Sequence, residues 1–300
     1  MSTLTRPRRK THQRNRIAEY TGGLFDDVIA HDPSDPNQIP LFAPAIDDDR
    51  IIDLAKEQPY PLLFTAVCGD HQFGLGTKES AMRIRGIHVL PVREMLGLGD
   101  PPQSIEVTEL VGKRKVEIAT YDIKLLLTQL LSKNGTFLEY IFSHNVIHST
   151  PELLELRSLA EWTVTKNHVY HYLGQARLQW RAFVDDRHHH AIGLLRSFRS
   201  LLTGIALMRT GSIETNIRSL NASIDEVEID LLLGGYDRNA HMTIPKAAVC
   251  THHKEFEGLC QTLEIAARRT SLPSEIPTNT LSELEEWLLR TRTHEFSHPC

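Results

Sequence analysis

Cysteine is scarce in this chain: Cys68, Cys250, Cys260 and Cys300 are four among 300 residues, stand far apart and form no Cys-x-x-Cys pair. That spacing argues against a disulfide framework and against the four-ligand pattern of a structural zinc site. No apolar run is long enough to span a bilayer, and no signal peptide is recognisable, so the expected setting is a reducing cytoplasm with free thiols and no membrane partner. The Gly-x-Ser-x-Gly elbow of serine hydrolases is missing, as is the Gly-x-x-x-x-Gly-Lys loop of P-loop proteins. Acid is missing from the first stretch, where Arg6, Arg8, Arg9, Lys10, Arg14 and Arg16 lie within residues 1–16. Such an arm is expected to be solvated, and any pairing with nucleic-acid phosphates would be salt-sensitive and blind to sequence.

What remains is an ordinary globular composition, with 41% hydrophobic and 24% charged residues and a formal net charge of −5. Residues 1–50 read as arm and linker, because Asp32-Pro33-Ser34-Asp35-Pro36-Asn37 and Pro40 pre-set turns and exclude regular structure. An apolar run from Leu62 to Cys68 predicts a strand in which Cys68 is a small buried hydrophobe. A loop with Gly69, Gly74 and Gly76 follows, then a second strand from Ala81 to Leu90, stopped by Pro91. Lys115 to Tyr121 alternates polar and apolar residues, and Ile123 to Leu131 turns to helical spacing. Beyond Ser149, apolar residues three and four apart predict helices over 152–162, 164–184, 191–209, 246–269 and 281–291, the first capped by Thr150-Pro151. The expected class is α+β: a small mixed sheet with helices in residues 51–150, and a helical bundle in 151–300.

One segment carries the chemistry. Transfer of a nucleotide uses two divalent cations beside a triphosphate, held by carboxylates at i and i+2 of a strand and a third on its neighbour. The spacing is two because alternate strand residues share a face. Residues 62–292 resemble the polymerase-β-like nucleotidyltransferases, in the RNA-ligase-associated RlaP-type branch. There a Gly-Ser strand end, an aromatic-Gly loop, a Ser-Asp-x-Asp strand, Arg-Gly-Val and a proline follow in order. The counterparts here are Gly69-Asp70, Phe73-Gly74, Ser80-Ala81-Met82-Arg83, Arg85-Gly86-Ile87 and Pro91. Met95-Leu96-Gly97-Leu98 resembles the family's next short helix, and the run Lys133 to Ser143 its Gly-Asn-Pro-x-x-Leu-Glu segment. Leu194-Leu195-Arg196, Leu207 to Gly211 and Leu272-Pro273 resemble landmarks of its helical half. The resemblance implies hydroxyl attack on the α-phosphate of a nucleoside triphosphate, with magnesium, in RNA repair.

The departures matter as much. The first metal carboxylate falls on Ala81 and the second on Arg83, whose guanidinium repels a cation; Glu117 aligns with the third. The Gly-Ser step has become Gly69-Asp70, adding negative charge where a polyphosphate would sit. The lysine and histidine ahead of Arg196 fall on His189 and Gly193. Two expectations follow. In the first, the fold is degenerate, a pseudoenzyme in which Gly69, Asp70, Arg83, Arg85 and Arg196 bind a nucleotide or RNA end in a cleft between the two halves, with a protein partner as a further candidate. In the second, Asp70, Glu79 and Glu117 form a displaced magnesium site, Glu79 and Glu117 are catalytic, and a nucleoside triphosphate is the substrate. The opposite face of the arginine strand, Met82 and Ile84, should enter the core.

The 16 histidines do not make a metal site by spacing. His188-His189-His190 would spread through a helical turn and is expected at a solvated junction; His168 with His171, and Cys250 with His252 and His253, are weak ligand pairs. Arg177, Arg181, Arg196, Arg199 and Arg209 are candidates to line a phosphate-receiving cleft.

Overall fold

The computed structural model describes residues 49–224 and 229–293. The basic arm lies outside these residues, as does Cys300. Helix α1 (Asp49–Lys56) leads into β1 (Leu62–Cys68), and β2 (Met82–His88) returns antiparallel to it. A single turn, α2 (Val92–Met95), precedes the hairpin of β3 (Ser104–Val111) and β4 (Arg114–Asp122). Strand β5 (Val146–Ser149) completes a sheet of order β3-β4-β2-β1-β5, in which β2 and β4 are parallel and the other pairs antiparallel. The sheet is therefore mixed, as expected, although the second strand starts at Met82 and not at Ala81. Strands β3 and β5 were not expected: exposed and half-buried residues alternate along β3 at the sheet edge, and β5 is four residues long.

Strand alternation sorts the sheet's two faces. Val67, Met82, Ile84, Val116 and Ile118 pack on Ile51, Leu54 and Ala55 of α1 in a small core. That core explains why a helix forms within the expected linker boundary: its apolar stripe has a sheet face to cover. On the other face Phe64, Ala66 and Ile87 join a larger core with α3 (Ile123–Leu131), α4 (Gly135–Ile141) and α5 (Glu152–Glu161). The same core runs on without a seam through α6 (His168–Asp185), α7 (Ala191–Thr210), α8 (Ile217–Ser223), α9 (Asp230–Arg238), α10 (Lys246–Arg269) and α11 (Thr280–Thr293). The described residues thus make one unit, with the helical half packed directly on the sheet half.

Helix α7 is its axis. It is long and apolar enough to cross a membrane, but most of it is enclosed by other helices, as a core helix of this length must be. Gly211 ends it in the left-handed conformation at φ 78°. Gly204 lets α7 approach its neighbours, since a Cβ there would meet Tyr172 Cβ at 2.8 Å and Leu263 Cδ2 at 3.0 Å.

Candidate functional site

The loop after β1 is wound tightly. Gly69 takes φ 68° and Gly74 φ 72°; Phe73 N donates to Gly69 O at 2.9 Å and Leu75 N to Asp70 O at 2.8 Å. The two glycines supply the left-handed conformation at little steric cost.

The helical half then fastens this loop residue by residue. Arg196 of α7 donates from Nε to Asp70 Oδ1 at 2.7 Å and from Nη2 to Oδ2 at 2.6 Å, a fork-to-carboxylate pair. Burial opposes the Arg196 charge, and the Asp70 hydrogen bond and charge more than offset it, so its pKa is raised. Gln72 donates to the backbone oxygen of Glu139 at 2.8 Å. Arg199, one turn along α7 from Arg196, places its guanidinium 3.8 Å from the centre of the Phe73 ring and donates to Glu139 Oε1 at 2.7 Å. The Arg199 and Glu139 side chains are 5% and 7% exposed, so the pair is held away from water. Burial pushes the Glu139 carboxyl up, against the pull of Arg199. Arg218 donates to Gly74 O at 3.2 Å while pairing with Asp237, and Tyr236 OH donates to Leu75 O at 2.8 Å.

Beside the loop, the sheet face that also carries Phe64, Ala66 and Ile87 ends in a row of charge. Cys68 pairs with Arg83 across β1 and β2, and Arg83 with Glu117 across β2 and β4, so the three share one face. Arg83 Nε donates to Glu117 Oε2 at 3.1 Å, and Lys115 Nζ to Glu117 Oε1 at 2.5 Å. These two partners, Lys115 first, hold the Glu117 carboxyl below the usual carboxylate range. The stem of Arg83 lies over Gly69: a Cβ on that glycine would meet Arg83 Cδ at 3.2 Å and Nη1 at 3.5 Å. Arg85, next along the face, donates from Nη1 to Ile84 O at 2.8 Å and Glu117 O at 3.1 Å. Its charge also reaches Tyr121 and Tyr140, whose phenols burial pushes up and Arg85 draws back. Those two rings lie nearly parallel, 6.3 Å apart. Burial pushes the Cys68 thiol up to about 12, and its Sγ lies 3.6 Å from Ala66 O. A protonated thiol there is a packing residue and not a nucleophile.

A magnesium pair does not fit this donor set. Ala81 offers no ligand, Arg83 brings a positive charge, and Asp70 and Glu117 are already neutralised by Arg196 and by Arg83 with Lys115. Glu79 sits in a bend ahead of β2, so the two-residue strand spacing to Ala81 does not govern where it points. Among the described residues no cluster of three or more His, Cys, Asp or Glu is placed to hold a metal ion. Asp70, Glu79 and Glu117 form no such cluster, and Asp70 and Glu117 each hold a cationic partner.

The chain matches the model of RlaP, described as the RNA repair pathway DNA polymerase beta family, over residues 46–290. It belongs to that family. The uncharacterized protein MJ0002 of Methanocaldococcus jannaschii is 23% identical over 159 residues, which are 52% of this chain and 64% of the archaeal one, so the match spans less than two thirds of that relative. A nucleotidyltransferase-like protein from Exiguobacterium sibiricum 255-15 covers 81% of this chain and 78% of its own at 10% identity, with a TM-score of 0.28, too low for the superposition to carry weight.

In this RlaP-family chain, then, Gly69, Asp70, Arg83, Arg85, Glu117 and Arg196 come together around the first loop and the adjoining strands. Arg199 joins them, while Arg177, Arg181 and Arg209 are exposed on the helical half. Arg209 and Arg269 line a separate cavity of about 440 Å³ where α7 and α10 end. His188, His189 and His190 form the junction between α6 and α7, where Asp186 accepts the backbone N–H groups of His188 and His190. His168 is buried with Nδ1 on Thr165 O, Cys250 is exposed, and His252 pairs with Glu255. The sequence reading assigned no role to Glu139, Phe73 or Tyr236. An acid between apolar residues in Phe137-Leu138-Glu139-Tyr140-Ile141 was the available signal, since a buried carboxylate needs a buried cation.

Proposed function

We propose that this chain is a degenerate nucleotidyltransferase that binds a nucleotide or an RNA end at the junction of sheet and helical half without transferring it. The observation that carries the reading is that Arg83 lies over Gly69 and takes Glu117 as its partner, at the position where the resemblance puts the family's second metal carboxylate. A fixed guanidinium supplies positive charge beside a phosphate without a metal, but it cannot deprotonate an attacking hydroxyl or stabilise leaving pyrophosphate as a magnesium pair does. The loop bearing Gly69 and Asp70 is clamped by Arg196, Arg199, Arg218 and Tyr236, which supports a preformed binding surface. The family's printed RNA repair pathway supports RNA as the macromolecule concerned.

Calorimetry with ATP, GTP, CTP and UTP, with and without magnesium, tests the proposal alongside incorporation of labelled nucleotide into RNA. The reading expects binding that magnesium does not change, loss of that binding in Arg83→Ala, and no incorporation. Magnesium-dependent incorporation that survives in Arg83→Ala would establish an active enzyme working through other carboxylates.

A further inference from the structure

The geometry points to a single terminal phosphate of RNA, a phosphomonoester, as the group this face selects over a triphosphate; this rests on the binding role proposed above. Arg83 and Arg85 are two apart on β2 and so present their guanidiniums to the same side of the sheet. Both are pinned rather than free to follow a ligand. Arg83 is fixed by Glu117 and by contact over Gly69, and Arg85 by the carbonyls of Ile84 and Glu117. Arg83 spends one of its five donors on Glu117 and keeps its outer fork, whereas Arg85 meets the phenols of Tyr121 and Tyr140 as well as the two carbonyls and keeps less; a guanidinium fork matches phosphate oxygens in pairs.

Acids bound this positive strip. Asp70 closes it at the loop, Glu117 lies beside it on β4, and Glu106, directly across from Ala119, closes it on the edge strand. One dianionic phosphate can meet the two arginines, whereas the further charges of a triphosphate either run toward Glu106 or compete with Asp70 and Glu117 for Arg196 and Lys115, the cations already paired to them. In a metal-dependent relative magnesium would screen that repulsion, but the ligands to hold it are gone here. The phenols of Tyr121 and Tyr140, within reach of the Arg85 charge, adjoin the same strip.

Fluorescence anisotropy of the full chain with one short RNA sequence tests this, the RNA carrying a 5′-monophosphate, a 3′-phosphate, a 5′-triphosphate or hydroxyls at both ends, in EDTA and in magnesium. The expected result is that one monophosphate end binds roughly tenfold or more tightly than the hydroxyl-ended RNA, equally in EDTA and magnesium. The comparison of the two monophosphates identifies which end is read. Arg85→Gln should abolish the preference for phosphate while leaving the residual RNA affinity; Arg85→Lys, retaining charge without the fork, should keep part of it. The wild-type comparison among ligands stands alone if either variant fails to fold. Equal affinity for hydroxyl and phosphate ends would overturn end selection and leave RNA binding intact. Tightest binding to the triphosphate in magnesium would overturn it as well, and so would tighter binding of a phosphoserine peptide. Binding of neither RNA nor nucleotide would sink the parent reading.

Discussion

Arg196 and Asp70 are 126 residues apart in the chain and meet through two parallel hydrogen bonds of 2.7 and 2.6 Å. This contact ties the loop after the first strand to the central helix of the other half. The Asp70 side chain is 11% exposed, so losing its partner leaves a nearly buried carboxylate unpaired. Arg196→Ala is expected to cost about 2–3 kcal/mol, and Arg196→Lys somewhat less, since one ammonium cannot replace a fork. Urea denaturation measures both. Asp70→Asn in the Arg196→Ala background should recover part of the loss; strict additivity of the two changes would show that the residues are not coupled.

Arg199 makes the stronger case. Its guanidinium pairs with Glu139 out of water and covers the Phe73 ring. Arg199→Ala should therefore cost about 3–5 kcal/mol, near the limit of what a domain of ordinary stability tolerates. Replacing both members by apolar residues, Arg199→Met with Glu139→Leu, should be milder than either single change, because no buried charge is then left alone. If the double variant is as unstable as the worse single one, the pair's value lies in holding Phe73 and the loop, not in mutual neutralisation.

Much of this architecture could be read along the chain. Ile123–Leu131 and Lys246–Arg269 begin and end where apolar spacing predicts, because each is amphipathic and capped or bounded by proline at its start. Residues 104–111 escaped although Ile105 and Val107 alternate with Glu106 and Thr108, because Leu110 and Val111 in succession break the two-residue period at the end of the strand. The segment 217–223 is only two turns long, and 230–238 carries Gly234-Gly235, a pair that weighs against a helix. In the site, the i, i+2 relation of Arg83 and Arg85 was legible because strand periodicity is local. The pairing of Asp70 with Arg196 was not, because a contact over so long a separation is set by how helices pack on the sheet. From the sequence Asp70 read as added negative charge and as a candidate nucleotide or metal contact, and its neutralising partner came into view with the fold.

Three histidines give the fold a pH dependence whose sign is fixed by burial. His88, His168 and His171 are each pushed down to about 4, burial being the largest cause for all three. His88 is enclosed by Tyr60, Thr120, Asp122 and Arg292, with Nδ1 3.0 Å from Thr120 Oγ1. Between roughly pH 6.5 and pH 4 the unfolded chain takes up protons that the folded chain refuses. Stability from these groups is thus complete above the ordinary histidine value and drains as pH falls through that window, by about 1.4 kcal/mol per pH unit for each histidine. Urea midpoints at pH 7, 6 and 5 should fall in that order, and His88→Gln should show a shallower fall than the parent. An unchanged slope in His88→Gln would mean that His88 takes up its proton in the folded protein as readily as in the unfolded chain.

Positions 81 and 83, where the resemblance puts the family's metal carboxylates, can be tested by substitution. Ala81→Asp with Arg83→Asp restores acids two apart at the start of β2, beside Glu117 in register with position 83. Without a divalent ion, the variant gathers like charges where the parent had an ion pair, so it should be less stable than the parent by about 1–2 kcal/mol. With manganese, binding to the folded form alone should restore stability, by about 2.7 kcal/mol when the ion is at a hundred times its dissociation constant. Thermal melts of parent and variant, with and without manganese, read this directly: the variant's midpoint should rise and the parent's should not. A variant indifferent to manganese would show that residues 81 and 83 are not the seats from which the metal ligands were lost, and the argument built on Arg83 would have to move elsewhere on the sheet.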